Sequence, residues 1–269
     1  MPELPEVETI KNELYPRIIG RRFAGVTIYD TKAIRQPSVE DFCQKVTGQK
    51  INNLDRRGKY LICHLSSGDA LVIHLKMSGA LLLNPEQADR HVRVIFNLDN
   101  GSRIVFTDRR RLGGMWLVEN EQPIIGKLGP EPLTPEFTSS LLAKRLQKHQ
   151  APIKAVLLDQ AFIAGIGNMY ADEALFVARI HPLRKANGLS PQEIKKLRQA
   201  IVDVLRSAID SKGASVDTYK RPDGERGTAQ VNFCVAHRGG KPCPICGTTI
   251  QRLSIRNRGS YFCSECQQL

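Results

Sequence analysis

At 269 residues the chain is long enough for two or more domains with cores of their own, which excludes a small stapled scaffold. Lysine and arginine number 39 against 27 for aspartate and glutamate, and the resulting +12 points to a polyanionic partner such as nucleic acid. No apolar run reaches the ~18 residues of a membrane span, and the N-terminus lacks a signal peptide's charged and apolar regions, so a cytoplasmic protein with no membrane partner is expected.

The chain opens Met1-Pro2-Glu3-Leu4-Pro5-Glu6-Val7-Glu8-Thr9. Removal of Met1 leaves Pro2 with a free secondary amine. A terminal amine has a pKa of ~8 against ~10.4 for lysine, so a useful fraction is nucleophilic near neutral pH. Attack on a sugar C1′ gives an iminium ion, and Glu3 beside it can move a proton where burial raises its pKa. The same residues also read as an ordinary helix start, with Pro5 in the first turn, Glu6 and Glu8 on the helix dipole, and Val7, Ile10 and Leu14 at helical spacing. The string PELPEVET resembles the N-terminus of bacterial formamidopyrimidine-DNA glycosylases, DNA-repair enzymes whose proline amine is the nucleophile. That resemblance implies Pro2 as the Schiff-base nucleophile and Glu3 as the acid, with Glu6 also in the site.

Short alternating apolar runs follow at 25–29, 51–55, 60–65, 70–75, 80–83, 92–98, 103–107 and 115–118, separated by turns such as Ser66-Ser67-Gly68-Asp69 and Asp99-Asn100-Gly101. Closely spaced strands of this kind predict antiparallel sheets packed as a sandwich or flattened barrel. Their loops are basic. Arg56-Arg57-Gly58-Lys59-Tyr60 reads on its own either as a solvated strand end or as a close approach to a ligand at the glycine. The family resemblance gives Lys59 a contact with the lesion-bearing strand and a part in the elimination steps. His74-Leu75-Lys76-Met77-Ser78-Gly79 is similar to the family motif whose methionine fills the gap left by an extruded base, which implies DNA contacts for His74 and Met77. Asp108-Arg109-Arg110-Arg111-Leu112-Gly113-Gly114 resembles the loop that supplies the other wedges, Arg110 facing the orphaned base and Leu112 standing where many members have phenylalanine. His91 matches a histidine that touches DNA in the family.

From residue 134 the periodicity is helical, over 137–148, 152–159, 168–180 and 191–212. Ser190-Pro191-Gln192-Glu193 has capping-box spacing with proline at the first helical position. Ala164-Gly165-Ile166-Gly167-Asn168 places two glycines before a helix start, where a backbone can approach a phosphate. The string GIGNMYADE resembles the family's helix-two-turns-helix element, which implies phosphate binding by Asn168 and makes Lys154 a further DNA-side candidate. Residues 213–230 are polar and aperiodic, a long loop in the place of the family's mobile loop over the everted base.

Cys243-Pro244-Ile245-Cys246 and Cys263-Ser264-Glu265-Cys266, sixteen residues apart, have zinc-ribbon spacing, and four thiolates close a tetrahedral Zn²⁺ with no open position. Disulfides or an iron–sulfur cluster are the alternatives. A hairpin formed by 248–252 and 260–262 carries Arg252, Arg256 and Arg258 near its tip. By the resemblance Arg258 binds phosphate and assists the second elimination.

The expectation is therefore an α+β chain: an N-terminal antiparallel β-sandwich with a flanking helix (1–133), a helical helix-two-turns-helix domain with its lesion loop (134–230), and a C-terminal zinc-ribbon hairpin (231–269). The function expected is that of a monomeric bifunctional DNA glycosylase/AP lyase acting on oxidised purines in double-stranded DNA, with one structural zinc ion. The alternatives are an endonuclease VIII-like enzyme for oxidised pyrimidines and a non-catalytic zinc-ribbon DNA-binding protein.

Overall fold

The computed structural model describes residues 1–86 and 90–269, which form two compact units. The first joins residues 1–127 to 211–230, and the second joins 128–210 to 231–269. These units divide the chain differently from the expected boundaries, because the 213–230 loop belongs with the strand-rich unit and the cysteine ribbon with the helices.

In the first unit α1 (Leu4–Ile18) buries Val7, Ile10, Leu14 and Ile18 on one stripe, as its spacing predicts. It is followed by β1 (Phe23–Ile28), β2 (Ile34–Gln36) and α2 (Val39–Val46), then by β3 (Ile51–Arg57), β4 (Tyr60–Leu65) and β5 (Ala70–His74). β6 (Gly79–Leu83), β7 (Val92–Leu98), β8 (Arg103–Asp108), β9 (Gly114–Val118) and the one-turn α3 (Gln122–Ile125) complete it. Two sheets result, β1-β7-β8-β6 and β2-β9-β5-β4-β3. They share one core with α1, in which Phe23, Phe96 and Phe106 of the first sheet meet Leu61, Ile73 and Met115 of the second. All eight strands expected have an antiparallel neighbour in these sheets; the short β2, absent from the expectation, pairs parallel with β9. α2 was also absent from the expectation, although Ser38 caps it by accepting from Asp41 N–H at 3.1 Å and Phe42 and Val46 bury its apolar face.

Residues 211–230 fold back on themselves. The Tyr219 ring lies in the core of the first unit, and its hydroxyl donates to the Lys212 carbonyl. The Ser215 hydroxyl donates to the Tyr219 carbonyl and accepts from Gly227 N–H, while Arg221 pairs with Glu13 of α1 at 2.8 Å. A buried aromatic side chain thus supplies the apolar anchor that the polar sequence of this segment conceals.

The second unit contains α4 (Ser139–Leu146), α5 (Ile153–Leu157), α6 (Asn168–Val177), α7 (Pro191–Asp210) and the hairpin β10 (Gln251–Ile255) and β11 (Arg258–Phe262). The predicted helices shorten at their ends, and the hairpin strands shift so that only Arg256 and Asn257 form the turn. Both have positive φ, 47° and 57°, the signature of the two-residue hairpin turn. The ribbon shares a core with α6 through Phe176, Val235, Ile250 and the cysteines. The buried Glu173 carboxylate of α6 accepts from the N–H groups of Cys234, Val235 and Ala236, and the Gln267 amide donates to the Ile180 carbonyl at 2.9 Å. No helix among the described residues is long and apolar enough to cross a membrane.

Candidate active site and nucleic-acid interface

Helix α1 begins at a buried terminus. Pro2 is buried, and Glu3 and Glu6 are 2% and 0% exposed. Glu3 is the N-cap of a reciprocal capping box, its side chain accepting from Glu6 N–H while Glu6 Oε2 accepts from Glu3 N–H at 2.7 Å. Glu6 Oε1 accepts from Ala214 N–H, also at 2.7 Å. One carboxylate therefore ties the residue beside the candidate nucleophile to the 211–230 segment. Gly213, at φ +77°, lies so close that an added Cβ would meet the Glu6 carboxylate at 3.0 Å.

The Lys59 turn is fixed to the same helix. Glu8 Oε2 accepts from Arg56 Nε at 2.6 Å, and Arg56 Nη1 donates to the Gly58 carbonyl at 2.9 Å. Burial opposes the charged form of Glu8, but hydrogen bonds from Lys11 and Arg56 outweigh it and hold its pKa below the usual carboxylate value. Lys59 itself is buried, at 6% exposure. Tyr60 and His74 face each other across β4 and β5, rings edge to face at 4.5 Å. His74 is buried and its Nδ1 accepts from Lys76 N–H at 2.9 Å. Burial, with Lys76 and Lys59 nearby, pushes its pKa down to about 3, so the ring is neutral at physiological pH.

Beyond this turn Met77 is half-buried, Arg110 is exposed and Leu112 is 41% exposed. The buried Asp108 lies between them, its Oδ1 accepting from the Ser78 hydroxyl and from Arg110 N–H. Its backbone N–H donates to the carbonyl of the half-buried His91 at 2.9 Å. The family resemblance of the loop motif implies no role for Asp108, its first residue. An aspartate opening a run of arginines reads as a local charge partner, and only the fold shows that it faces inward.

In the second unit two of the predicted residues converge on one carbonyl next to a third. Asn168 Nδ2 donates to the Gly259 oxygen at 2.8 Å and Lys154 Nζ lies 3.4 Å from it, beside the exposed Arg258. Asn168 starts α6 after Gly165, whose φ of +86° favours glycine, and Gln160 holds that turn by donating to the Ile166 carbonyl and accepting from Gly165 N–H. One amide hydrogen of Asn168 serves Gly259, and an amide nitrogen carries a second. Lys154, expected on the DNA side, is wholly buried, with Nζ 2.5 Å from Asp172 Oδ1. Burial raises the Asp172 pKa and outweighs the opposing pull of Lys154, so desolvation works against the charge of this pair. Lys154 thus joins α5 to α6 through Asp172 and reaches the hairpin at the Gly259 carbonyl.

Cys243, Cys246, Cys263 and Cys266 present Sγ atoms that all lie within 4.8 Å of one another, with contacts of 3.9, 3.4 and 3.6 Å. A tetrahedron with Zn–S bonds of ~2.3 Å has edges of ~3.8 Å, so the four thiols fit one Zn²⁺ and leave no position for water or substrate. Such a metal is structural, holding the two knuckles that support the Arg258 hairpin.

Comparison with known proteins agrees along the whole chain. The formamidopyrimidine-DNA glycosylase N-terminal domain matches residues 1–115, the formamidopyrimidine-DNA glycosylase H2TH domain matches 128–220, and the zinc finger found in FPG and IleRS matches 240–269. The formamidopyrimidine-DNA glycosylase of Chloroflexus aurantiacus is 45% identical over 99% of this chain and 98% of the relative. The Lactococcus lactis FPG protein in complex with a Fapy-dG containing DNA superposes with a TM-score of 0.91 at 34% identity, covering 99% of this chain and 100% of that one. The same protein in complex with an abasic site containing DNA gives 0.92 at 34% identity over the same shares. Fold and sequence together define a DNA-repair glycosylase with a structural zinc finger. The chain belongs to the formamidopyrimidine-DNA glycosylase family.

Proposed function

We propose that this chain excises oxidised purines from duplex DNA and then cleaves the strand, using Pro2 as nucleophile once Met1 is removed. The observation that carries the assignment is the buried head of α1, where Pro2 and Glu3 are set by the Glu3–Glu6 capping box beside the segment that holds Ala214. In this reading the Pro2 lone pair attacks C1′, the glycosidic bond breaks toward the base, and the base takes up a proton. Glu3 protonates the ring oxygen as the sugar opens to the iminium. Loss of a C2′ proton then expels the 3′ phosphate, and a second elimination expels the 5′ phosphate, with Lys59 on the lesion-bearing strand and Arg258 stabilising phosphate departure. Asn168 holds a phosphate beside the lesion, and Met77, Arg110 and Leu112 replace the extruded nucleotide in the stack. His74, neutral and buried, acts through the turn it holds. The lesion class follows the Fapy-dG and abasic-site complexes of the Lactococcus lactis relative, and the reduced zinc-ribbon cysteines suit a cytoplasmic setting. Borohydride reduction in the presence of lesion-bearing duplex should trap a covalent complex mapped to Pro2. An adduct on Lys59, or undiminished trapping by a protein with an uncleaved N-terminal extension, would remove Pro2 from the mechanism.

A further inference from the structure

Two segments that the preceding reading assigns to the DNA stack meet at one buried side chain. Asp108 is 1% exposed, yet the residues after it, Arg109 to Leu112, are all exposed. Its two carboxylate oxygens take four hydrogen bonds. Oδ1 accepts from the Ser78 hydroxyl and, at 3.1 Å, from Arg110 N–H, while Oδ2 accepts from Leu112 N–H at 2.8 Å and Gly113 N–H at 2.7 Å. The Ser78 hydroxyl in turn accepts from Arg110 N–H at 2.9 Å. Gly113 closes the turn so tightly that a Cβ there would meet Phe106 at 2.6 Å and Asp108 Oδ2 at 3.2 Å.

The same loop is clamped from outside. Arg111, at φ +57°, lays its guanidinium on Asp30 with bonds of 2.6 and 2.8 Å, and Arg35 reaches the Gly113 carbonyl at 3.2 Å. Arg111 is thereby committed to the protein, and Arg109 and Arg110 are the exposed arginines whose charges face outward.

We infer that Ser78 and Asp108 form a strap that joins the Met77 turn to the 109–113 loop, so that the three wedge residues enter the duplex as one rigid body. This rests on the wedge reading of Met77, Arg110 and Leu112. The physical reason is entropy: two independent exposed loops would each have to be ordered at the moment of insertion, whereas a carboxylate saturated by four donors has ordered them in advance. Asp108 and Ser78 are then positioning residues that touch neither sugar nor base. Their effect belongs to base extrusion, and extrusion is needed only while a base remains in the stack.

The test is a double-mutant cycle of Ser78→Ala and Met77→Ala, read on two duplexes, one with a paired oxidised purine and one with a ready-made abasic site. Ser78→Ala keeps the three backbone donors on Asp108, and unchanged thermal melting confirms that the loop fold survives. Excision of the paired lesion should fall about tenfold in kcat/KM with Ser78→Ala, whereas borohydride trapping on the abasic duplex should fall far less. The loss caused by Met77→Ala should shrink in the Ser78→Ala background, since an unstrapped wedge has less to lose. Asp108→Asn, with one carboxylate acceptor replaced by a donor, should reproduce the same substrate split. If Met77→Ala slows paired-lesion excision but Ser78→Ala does not, or if the two effects simply multiply, the strap is refuted while the wedge reading stands. If Met77→Ala and Leu112→Ala are themselves without effect on the paired lesion, the wedge reading fails and takes the strap with it.

Discussion

The loop at 109–113 and the hairpin turn at 256–257 present the same cargo, exposed arginines on tight positive-φ backbone, from opposite kinds of anchor. The first rests on a carboxylate saturated by hydrogen bonds from its own loop and from Ser78. The second rests on four thiols placed for a metal and on the Gly259 carbonyl, reached by Asn168 and by the buried Lys154–Asp172 pair. A loop closed within five residues can be held by local backbone donors, because little chain has to be ordered for each bond formed. A ribbon whose two cysteine pairs lie sixteen residues apart has too little apolar surface to close itself, and it depends on metal and on a neighbouring helix.

The difference can be broken most severely at the metal. Cys246→Ser, or strong chelation, should unfold the ribbon and weaken duplex binding by at least about tenfold, because structural Zn²⁺ contributes its binding energy locally to folding. Circular dichroism of the strand-rich unit should be nearly unchanged. Active protein free of metal by elemental analysis would contradict this.

A smaller loss should follow from Lys154→Met, which strands a buried carboxylate. Removing one partner of a buried pair costs roughly 3–5 kcal/mol, and Lys154→Met with Asp172→Leu should recover much of it. The single variant should also show a pH signature. A carboxyl whose folded pKa is raised binds its proton more tightly folded than unfolded, so stability falls as pH rises from about 4 toward that folded value. Denaturant melts of the variant that are flat with pH would contradict the assignment.

The smallest effect concerns the Asp30 clamp on the other anchor. Hydrogen bonding from Arg111 is the main reason that Asp30 lies below its ordinary pKa. Its contribution is therefore present above the unfolded carboxyl value near 4 and is lost as pH falls through the lower folded value. Because Arg111 is half exposed, solvent screens the pair, and Asp30→Asn should lower the melting temperature only slightly at pH 7 and by less near pH 3. An equal loss at both pH values would show that Asp30 acts by packing alone.

Much of this was legible because the signals were local. Cysteine spacing marked the metal ligands, alternation marked the strands, and the Gly165 and Gly167 turn marked the start of α6. What stayed hidden depended on partners remote in sequence. The burial of Lys154 was not legible because its partner Asp172 sits on another helix. Asp108 read as part of a charged loop because its inward direction is set by Ser78, thirty residues earlier. The segment 213–230 read as a polar loop because one aromatic ring, Tyr219, does the anchoring, and a single apolar residue leaves no periodicity. β2 was too short, at three residues, for alternation to register.

The division of the chain into units carries a consequence for biosynthesis. Glu6 finds its Ala214 partner, and Glu13 its Arg221, only across 208 residues of sequence. During translation the strands of the first unit leave the ribosome long before Tyr219 exists to complete their core, while the helices 128–210 are made in the interval. The nascent first unit is therefore an unfinished body in which Glu6 and Glu13 wait for these distant partners until the last quarter of the message is read. Closure of the N-terminus against this segment is one of the final events in the life of the nascent chain, so a prematurely released fragment has Pro2 and Glu3 without the segment that holds Glu6.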